Sequence, residues 1–297
     1  MTDQAESLRR KILASRQRRE EPKVLANEDN LVKIYAVVSG KGGVGKTNIS
    51  VNLSMAMAKK GKRVLLLDAD IGMTNADIIM GIHYEQDLFD YLAGRASIEE
   101  IIYDGPMGIK VISGGAGLLE MDQLSAHAQE RFIQELLSLG GFDIMVIDNG
   151  AGIGKETLRF ITFAHEVILV TTPEPTAVTD GYRVLKTISH YGLKESVKLI
   201  VNKVPSTAVG EETFEKLSYT CNSFLSIKLE NCGYVFTDTR LEKAIMAQEP
   251  VLLSYPNALS SGNIESIAGI ILEEHVFVKN ISTLKQLGNR FRKIFGT

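Results

Sequence analysis

The sequence predicts an α/β fold: a doubly wound, mostly parallel sheet with helices on both of its faces. An apolar strand leads into a glycine-rich loop and then a helical pattern, at residues 34–60. Two more apolar runs, at residues 63–68 and 143–148, end in aspartates. Strand and helix patterns then alternate from residue 166 onward, with the last strand predicted at about residues 231–236. Helices are also predicted from near Asn48, after the glycine-rich loop, and at residues 125–139. Such alternation places the strands parallel in one sheet and the helices on its two faces.

Length and composition fit one large domain with tails. A chain of 297 residues, 44% of them hydrophobic, can bury a sizeable core. The net charge of −3 gives no basic field over the whole protein, which argues against nucleic acid as a partner. No apolar run approaches the roughly 18 residues of a membrane span. The basic N-terminus also lacks the apolar stretch of a signal peptide, so we expect a cytoplasmic protein.

The stretch SGKGGVGKT, Ser39 to Thr47, satisfies the phosphate-loop consensus GxxxxGK[ST], and we call it the phosphate loop. Its glycines let backbone N–H groups converge on a phosphate, and the helix N-terminus adds a favourable partial charge. Lys46 is expected to reach the β- and γ-phosphates of ATP, and the Thr47 hydroxyl to bind Mg²⁺. The predicted nucleotide-binding residues here are Gly40, Lys41, Gly42, Gly43, Val44, Gly45, Lys46, Thr47 and Asn48.

Carboxylates follow two of the predicted strands. Asp68 and Asp70 come at the end of RVLLLD and just after it, and Asp148 ends DIMVID. The carboxyl ends of parallel strands share one sheet edge with the phosphate loop, where a carboxylate can hold a metal-bound water or orient an attacking one. Asp68 or Asp70 could instead cap the turn that follows it. We expect Mg²⁺ to be held by Thr47, Asp68 and Asp148.

KGGVGKT, Lys41 to Thr47, resembles the deviant Walker A motif of the MinD/ParA family of dimerising ATPases. LLLDADIGMTNADIIMG at residues 65–81 and DIMVIDNGAG at residues 143–152 agree with the family in order and spacing. The resemblance runs from about Lys33 to Leu272. It implies a slow, Mg²⁺-dependent ATP hydrolase of the switch type. It also implies an ATP-dependent homodimer in which Lys41 reaches the partner's nucleotide, and the catalytic residues Lys41, Lys46 and Asp70.

The same resemblance assigns further roles. Asp148 matches the Walker B carboxylate, and Asp70 matches the aspartate that orients water. Residues 150–152 form a switch loop, in which Gly152 senses the γ-phosphate together with Asp70. Common relatives often carry proline after the Walker B aspartate, where this chain has Asn149 and Gly150. Asn202 matches a contact to the adenine base, although an asparagine at a strand end is otherwise a turn residue.

The N-terminal stretch DQAESLR, Asp3 to Arg9, is similar to a segment of the FlhG-type flagellar-number regulators, a branch of this family. That similarity implies binding to an FlhF-like GTPase through Gln4 and Leu8, and control of flagellar number or placement. Residues 1–30 are therefore predicted to be a partner-binding segment and linker. A solvated basic tail is the alternative.

Residues 279–297 are predicted to form a C-terminal amphipathic helix, which leaves residues 31–278 as the ATPase domain. At 100° per residue, its bulky apolar side chains fall within an arc of roughly 140°, and its basic side chains lie outside that arc. A helix of this kind is typical of membrane-surface elements, and docking on its own domain is the alternative. We expect reversible association with the inner face of the cell membrane. The predicted membrane residues are Leu284, Leu287, Phe291, Ile294 and Phe295.

Other functions are weighed against this one. A ParA-like DNA-partition ATPase would need a basic surface on its dimer, and the net charge and the apolar tail argue against it. A MinD-like role in positioning cell division is another alternative, and the DQAESLR segment favours the flagellar branch over it. An electron-transfer ATPase would need cysteines near the switch residues, whereas Cys221 and Cys232 are far from them in sequence.

Overall fold

The computed structural model describes residues 32–70, 76–114, 135 and 140–273. Eight strands within these ranges form one sheet, in the order β3-β4-β2-β5-β1-β6-β7-β8. All neighbours pair in parallel except β3 and β4, which confirms the predicted mostly parallel sheet. The strands are β1 (Lys33–Ser39), β2 (Val64–Ala69), β3 (Ile102–Asp104), β4 (Lys110–Ser113), β5 (Ile144–Ala151), β6 (Glu166–Thr171), β7 (Ser196–Val204) and β8 (Lys228–Phe236).

Helices cover both faces of this sheet, as predicted. Those described are α1 (Lys46–Lys59), α2 (Ala76–Met80), α3 (Leu88–Leu92), α4 (Lys155–Phe163), α5 (Pro175–His190), α6 (Thr207–Phe224), α7 (Thr239–Met246), α8 (Val251–Ser254) and α9 (Leu259–Glu273). A short 3-10 turn spans Pro106–Gly108. Among these helices, none combines the length and the apolar character needed to cross a bilayer.

Some element boundaries differ from the sequence expectations. The last strand was expected from residue 231 but begins at Lys228, because residues 228–230 already pair with residues 196–198 of β7. A charged stretch like this lacks the apolar pattern that marks a strand. The helix after the phosphate loop begins at Lys46 rather than Asn48. The predicted helix at residues 125–139 lies outside the described residues except for Glu135.

The central strand β1 shows why the sheet has a core on each side. All seven of its residues are buried. Ile34, Ala36 and Val38 face the cluster formed with α4, α5 and α6, whereas Tyr35 and Val37 face the cluster formed with α1 and α9. A strand covered on both faces has to be apolar at successive positions, as β1 is.

Helix α1 carries the phosphate loop and is fixed by burial. Every residue from Ile49 to Met57 is buried, because α1 lies between the sheet and α9. The Asn52 side chain adds a polar link, since its Oδ1 accepts a hydrogen bond from the Leu252 backbone N–H at 3.1 Å. A helix held on several sides gives the loop at its N-terminus a fixed position.

A ladder of ion pairs closes the amino edge of the sheet. Lys33 in β1 pairs with Glu166 in β6 at 2.5 Å. Lys198 in β7 lies 3.5 Å from Glu166 and 3.1 Å from Glu230 in β8. The two lysines are buried, and the alternating charges offset the cost of removing them from water. Charge at this edge is therefore balanced, and the opposite edge carries the phosphate loop.

Alanine substitutions at two helical glycines should have opposite effects on stability. A Cβ added at Gly210 in α6 would lie 2.8 Å from Tyr234 ring carbons, so Gly210→Ala should lower the free energy of unfolding by about 1 kcal/mol or more. The control is exposed Gly262 in α9, where a Cβ meets nothing within 4 Å. Gly262→Ala should raise that free energy by roughly 0.5–1 kcal/mol. Urea denaturation measures both, and equal stability of the two variants would contradict close packing at Gly210.

Candidate nucleotide-binding site

The phosphate loop lies at the carboxyl end of β1, and α1 begins inside it. Gly43 and Gly45 have φ of 80° and 90°, a left-handed conformation that suits glycine. Gly40 is needed for a different reason, because a Cβ there would lie 2.2 Å from the Asp180 carbonyl carbon in α5. The glycines therefore set the shape of the loop and let it pack against α5.

The remaining predicted loop residues divide into a buried and an accessible set. Val44 is buried. Gly42 is exposed, and Thr47 and Asn48 are partly exposed in the first turn of α1. The accessible residues therefore lie on the loop and at the helix N-terminus, where an anion is stabilised by N–H groups and the helix dipole.

The end of β7 supports the phosphate loop. The Asn202 side-chain amide donates to the Val44 carbonyl oxygen at 2.8 Å, and Lys203 Nζ donates to the Gly43 carbonyl oxygen at 2.8 Å. Lys203 has a left-handed φ of 55°, a strained conformation that surrounding contacts must stabilise. The predicted adenine contact of Asn202 stays a prediction, since its side-chain nitrogen is bonded to the loop here.

A buried ion pair joins α1 to β5. Lys46 Nζ lies 2.8 Å from Asp148 Oδ1, and the Ser50 hydroxyl donates to the same oxygen at 2.7 Å. Lys46 is only 6% exposed, and Asp148 and Ser50 are fully buried. Asp148 Oδ2 is also buried but has no hydrogen-bond partner among the described residues. An unpartnered carboxylate oxygen of this kind fits a metal ion or its bound water.

A second carboxylate lies beside this pair, because β2 and β5 place Asp68 directly opposite Asp148. Asp68 is fully buried and accepts hydrogen bonds from the backbone N–H groups of Asp70 and Ala76, each at 3.2 Å. Burial, and then the negative charge of Asp148, raise the pKa of Asp68 to about 7. Burial also raises the pKa of Asp70. The three predicted aspartates therefore come together and concentrate negative charge at this edge.

Part of the predicted switch loop, residues 150–152, belongs to a strand. Gly150 and Ala151 belong to β5, because Ala151 still pairs with Ser39 of β1. The Gly152 N–H donates to the Ser39 carbonyl oxygen at 2.8 Å, and its φ of 89° ends the strand. A Cβ at Gly150 would lie 3.2 Å from Asp70 Oδ1. Both predicted switch residues thus follow neighbouring strands at one edge of the sheet.

The extra lysine of the phosphate loop contacts the start of α5. Lys41 Nζ lies 2.7 Å from Glu174 Oε1 and 2.8 Å from the Thr176 hydroxyl. Hydrogen bonding to Lys41 lowers the pKa of Glu174. The Lys41 side chain is 38% exposed and that of Glu174 57%, so water screens this ion pair. Lys41 is therefore held by its own chain through a contact that solvent weakens.

Sequence analysis assigned no role to four residues at the site: Ser50, Glu174, Thr176 and Lys203. Lys203 carried a local signal, because it ends a strand beside Asn202. Ser50 carried another, because it lies one helical turn after Lys46 and so shares its face of α1. The predicted partner and membrane residues lie outside the described residues: Gln4, Leu8, Leu284, Leu287, Phe291, Ile294 and Phe295.

The raised pKa of Asp68 predicts a pH effect on stability without metal. The folded protein holds a proton on Asp68 up to about pH 7, whereas the unfolded chain releases it near the ordinary value of 3.8. Folding therefore binds a proton in this window, and stability falls as the pH rises through it. Asp68→Asn should lose less stability than the wild type between about pH 5 and pH 8.

Urea denaturation at both pH values, in the presence of a metal chelator, measures this difference. Exposed Glu99 offers the control, and Glu99→Gln should keep the wild-type pH dependence. An Asp68→Asn variant with the wild-type slope would mean that Asp68 is ionised throughout the range.

Known proteins resemble this chain over most of its length. Residues 30–271 match the ParA family model, which is described as NUBPL iron-transfer P-loop NTPase. The antiactivator FleN of Pseudomonas aeruginosa is 34% identical over 238 residues, 80% of this chain and 85% of that protein. The flagellum site-determining protein YlxH of Helicobacter pylori is 35% identical over 255 residues, 85% of this chain and 86% of that protein.

A solved structure agrees with these relatives. The MinD cell division protein of Aquifex aeolicus superposes with a TM-score of 0.67 at 25% identity, covering 84% of this chain and all of that one. The residues that the family model matches include the strand, loop and helix that hold Lys41 and Lys46. The chain belongs to the MinD/ParA family of P-loop NTPases.

Proposed function

We propose that the protein is an ATP-dependent, dimerising ATPase that associates with the membrane and regulates flagellar number or placement. The observation that carries the proposal is the phosphate loop with two lysines in different environments. Lys46 is buried against Asp148, whereas Lys41 is exposed and bonded to Glu174. The similarity to an antiactivator and to a flagellum site-determining protein supports the flagellar assignment.

The nucleotide-binding step depends on residues of α1, β2 and β5. Lys46 binds the β- and γ-phosphates, and the Thr47 hydroxyl, Asp68 and Asp148 hold Mg²⁺ directly or through water. Asp148 Oδ2, buried without a partner among the described residues, fits this role. Bound ATP and Mg²⁺ supply the transferable phosphoryl group and the charge that neutralises it. Asp70 orients the attacking water. The N–H of Gly152, which donates to the Ser39 carbonyl oxygen in the single chain, exchanges that bond for one to the γ-phosphate.

Dimerisation requires Lys41 to change partners. In the single chain its ammonium group pairs with the Glu174 carboxylate and donates a hydrogen bond to the Thr176 hydroxyl. This pair is exposed and screened, so exchanging it for a phosphate of the partner's nucleotide costs little. The lysine then completes a site that the partner alone lacks. Because each protomer donates one Lys41, the two sites form together, and hydrolysis releases the dimer.

Two segments outside the described residues connect this switch to the cell. The N-terminal DQAESLR segment binds an FlhF-like GTPase through Gln4 and Leu8. The C-terminal amphipathic helix binds anionic lipid through its apolar residues, and pairing two such helices in a dimer strengthens a weak attachment. ATP binding therefore controls membrane residence at the inner face of the cell membrane. The membrane residues are Leu284, Leu287, Phe291, Ile294 and Phe295.

The two lysines of the loop should separate binding from dimerisation. Lys46→Ala should abolish ATP binding, because it removes the cation that binds the phosphates. It also leaves the negative charge of Asp148 without its partner beside them. Lys41→Ala should keep nucleotide affinity within about threefold, since an exposed cation contributes little to its own site, and should abolish ATP-dependent dimerisation and turnover. Calorimetry and size-exclusion chromatography measure the two properties. Equal loss of nucleotide affinity in both variants would contradict this division.

Changes in the N-terminal segment should affect the FlhF-like GTPase and not the ATPase activity of the chain itself. Gln4→Ala should reduce stimulation of an FlhF-like GTPase at least several-fold and leave ATPase activity and ATP-dependent dimerisation unchanged. Gln17→Ala provides the control, because Gln17 lies in the same basic stretch but outside DQAESLR. GTP turnover is measured with a fixed amount of each variant. Full stimulation by Gln4→Ala would leave the segment as a solvated tail.

A further inference from the structure

Ser50 is a buried hydroxyl at the centre of the nucleotide site. It lies in α1, one turn after Lys46, and is fully buried, with 0% of its surface exposed. Its Oγ is 2.7 Å from Asp148 Oδ1 and 3.1 Å from the Lys46 carbonyl oxygen. A serine hydroxyl has one hydrogen to donate, and the shorter contact to a charged acceptor takes it. Ser50 is therefore a donor to the carboxylate.

The two oxygens of Asp148 are not equivalent. Oδ1 accepts hydrogen bonds from both Lys46 Nζ and the Ser50 hydroxyl. Oδ2 is buried and has no hydrogen-bond partner among the described residues. The contacts to Oδ1 fix the rotation of the carboxylate group, and with it the direction in which Oδ2 faces.

Lys46 cannot hold this orientation throughout binding. Under the proposed function its ammonium group turns toward the phosphates, which weakens its bond to Asp148. A buried carboxylate that loses its cationic partner is costly, and without another donor it has no fixed orientation. Ser50 is attached to the same helix one turn away and bonds to the same oxygen, so its contact does not depend on where the ammonium group points.

We propose that Ser50 is a positioning residue for Asp148: its hydroxyl keeps hold of Oδ1 when Lys46 moves to the phosphates, so that Oδ2 stays directed at the Mg²⁺ site. This inference rests on the proposed function, in which Lys46 binds phosphate and Asp148 holds the metal. Ser50 touches neither nucleotide nor metal and acts through the carboxylate. Its removal weakens the coupling between Mg²⁺ and nucleotide rather than nucleotide binding itself.

Ser54 provides a matched control on the same helix. It is also fully buried, and its hydroxyl donates to the Ser50 carbonyl oxygen at 2.7 Å. Ser50 and Ser54 thus have the same residue type, helix and burial, and both lie near the carbonyl oxygen four residues earlier. The described contact to a carboxylate belongs to Ser50. Comparing Ser50→Ala with Ser54→Ala isolates that contact from the general effect of removing a buried hydroxyl.

The experiment measures ADP affinity by calorimetry for the full chain, with Mg²⁺ and with a metal chelator. In chelator, the wild type, Ser50→Ala and Ser54→Ala should agree within about twofold. The ratio of affinities with and without Mg²⁺ should fall about tenfold in Ser50→Ala, since a hydrogen bond to a charged group is lost. The ratio should be unchanged in Ser54→Ala. Ser50→Cys keeps nearly the same volume but offers only a weak donor, so it should also lower the ratio of ADP affinities with and without Mg²⁺.

Three results decide between the explanations. The same Mg²⁺ ratio in Ser50→Ala as in Ser54→Ala overturns the positioning role. Equal loss of affinity with and without Mg²⁺ in Ser50→Ala also overturns it, and assigns Ser50 to helix stability. A wild-type protein that binds ADP with no dependence on Mg²⁺ overturns the proposed function itself, and the inference with it. Thermal melting of each variant in chelator shows whether it is folded, and Ser50→Cys replaces Ser50→Ala if the latter is not.

Discussion

The buried pair between Lys46 and Asp148 is the interaction on which the geometry of the site depends. Both groups are almost completely removed from water, and either charge alone would be strongly unfavourable there. The pair therefore requires that α1, which carries Lys46, and β5, which carries Asp148, be held in one fixed relation. Burial of α1 between the sheet and α9 supplies that relation.

Negative charge around this pair is left unbalanced. Asp68 lies opposite Asp148 in the sheet, and Asp70 follows two residues later, so three carboxylates surround one lysine. The protein meets this cost in part by raising the pKa of Asp68. The amino edge of the sheet is different, because its lysines and glutamates alternate. Charge is thus neutralised at the amino edge of the sheet, whereas negative charge is concentrated at the carboxyl edge, where it can bind a cation.

The two lysines of the phosphate loop show how burial divides the roles of similar residues. Lys46 is inaccessible, and its partner is fixed by packing. Lys41 lies only five positions earlier, yet it is exposed and bonded to Glu174 across a contact that water screens. A buried pair breaks only when a ligand replaces one partner, whereas an exposed pair exchanges readily. One loop can therefore hold a nucleotide firmly and respond to a second chain.

The sequence by itself determined the parallel sheet, the phosphate loop and the aspartates at the strand ends, because glycine spacing, apolar runs and strand and helix alternation are local patterns. Only the tertiary structure decided which side chains meet at the loop. Ser50 bonds to Asp148, Lys41 to Glu174 and Lys203 to the Gly43 carbonyl, and these partners lie 98 to 160 positions apart. No local pattern encodes such contacts, since they depend on strand order and on how closely α5 and β7 approach the loop.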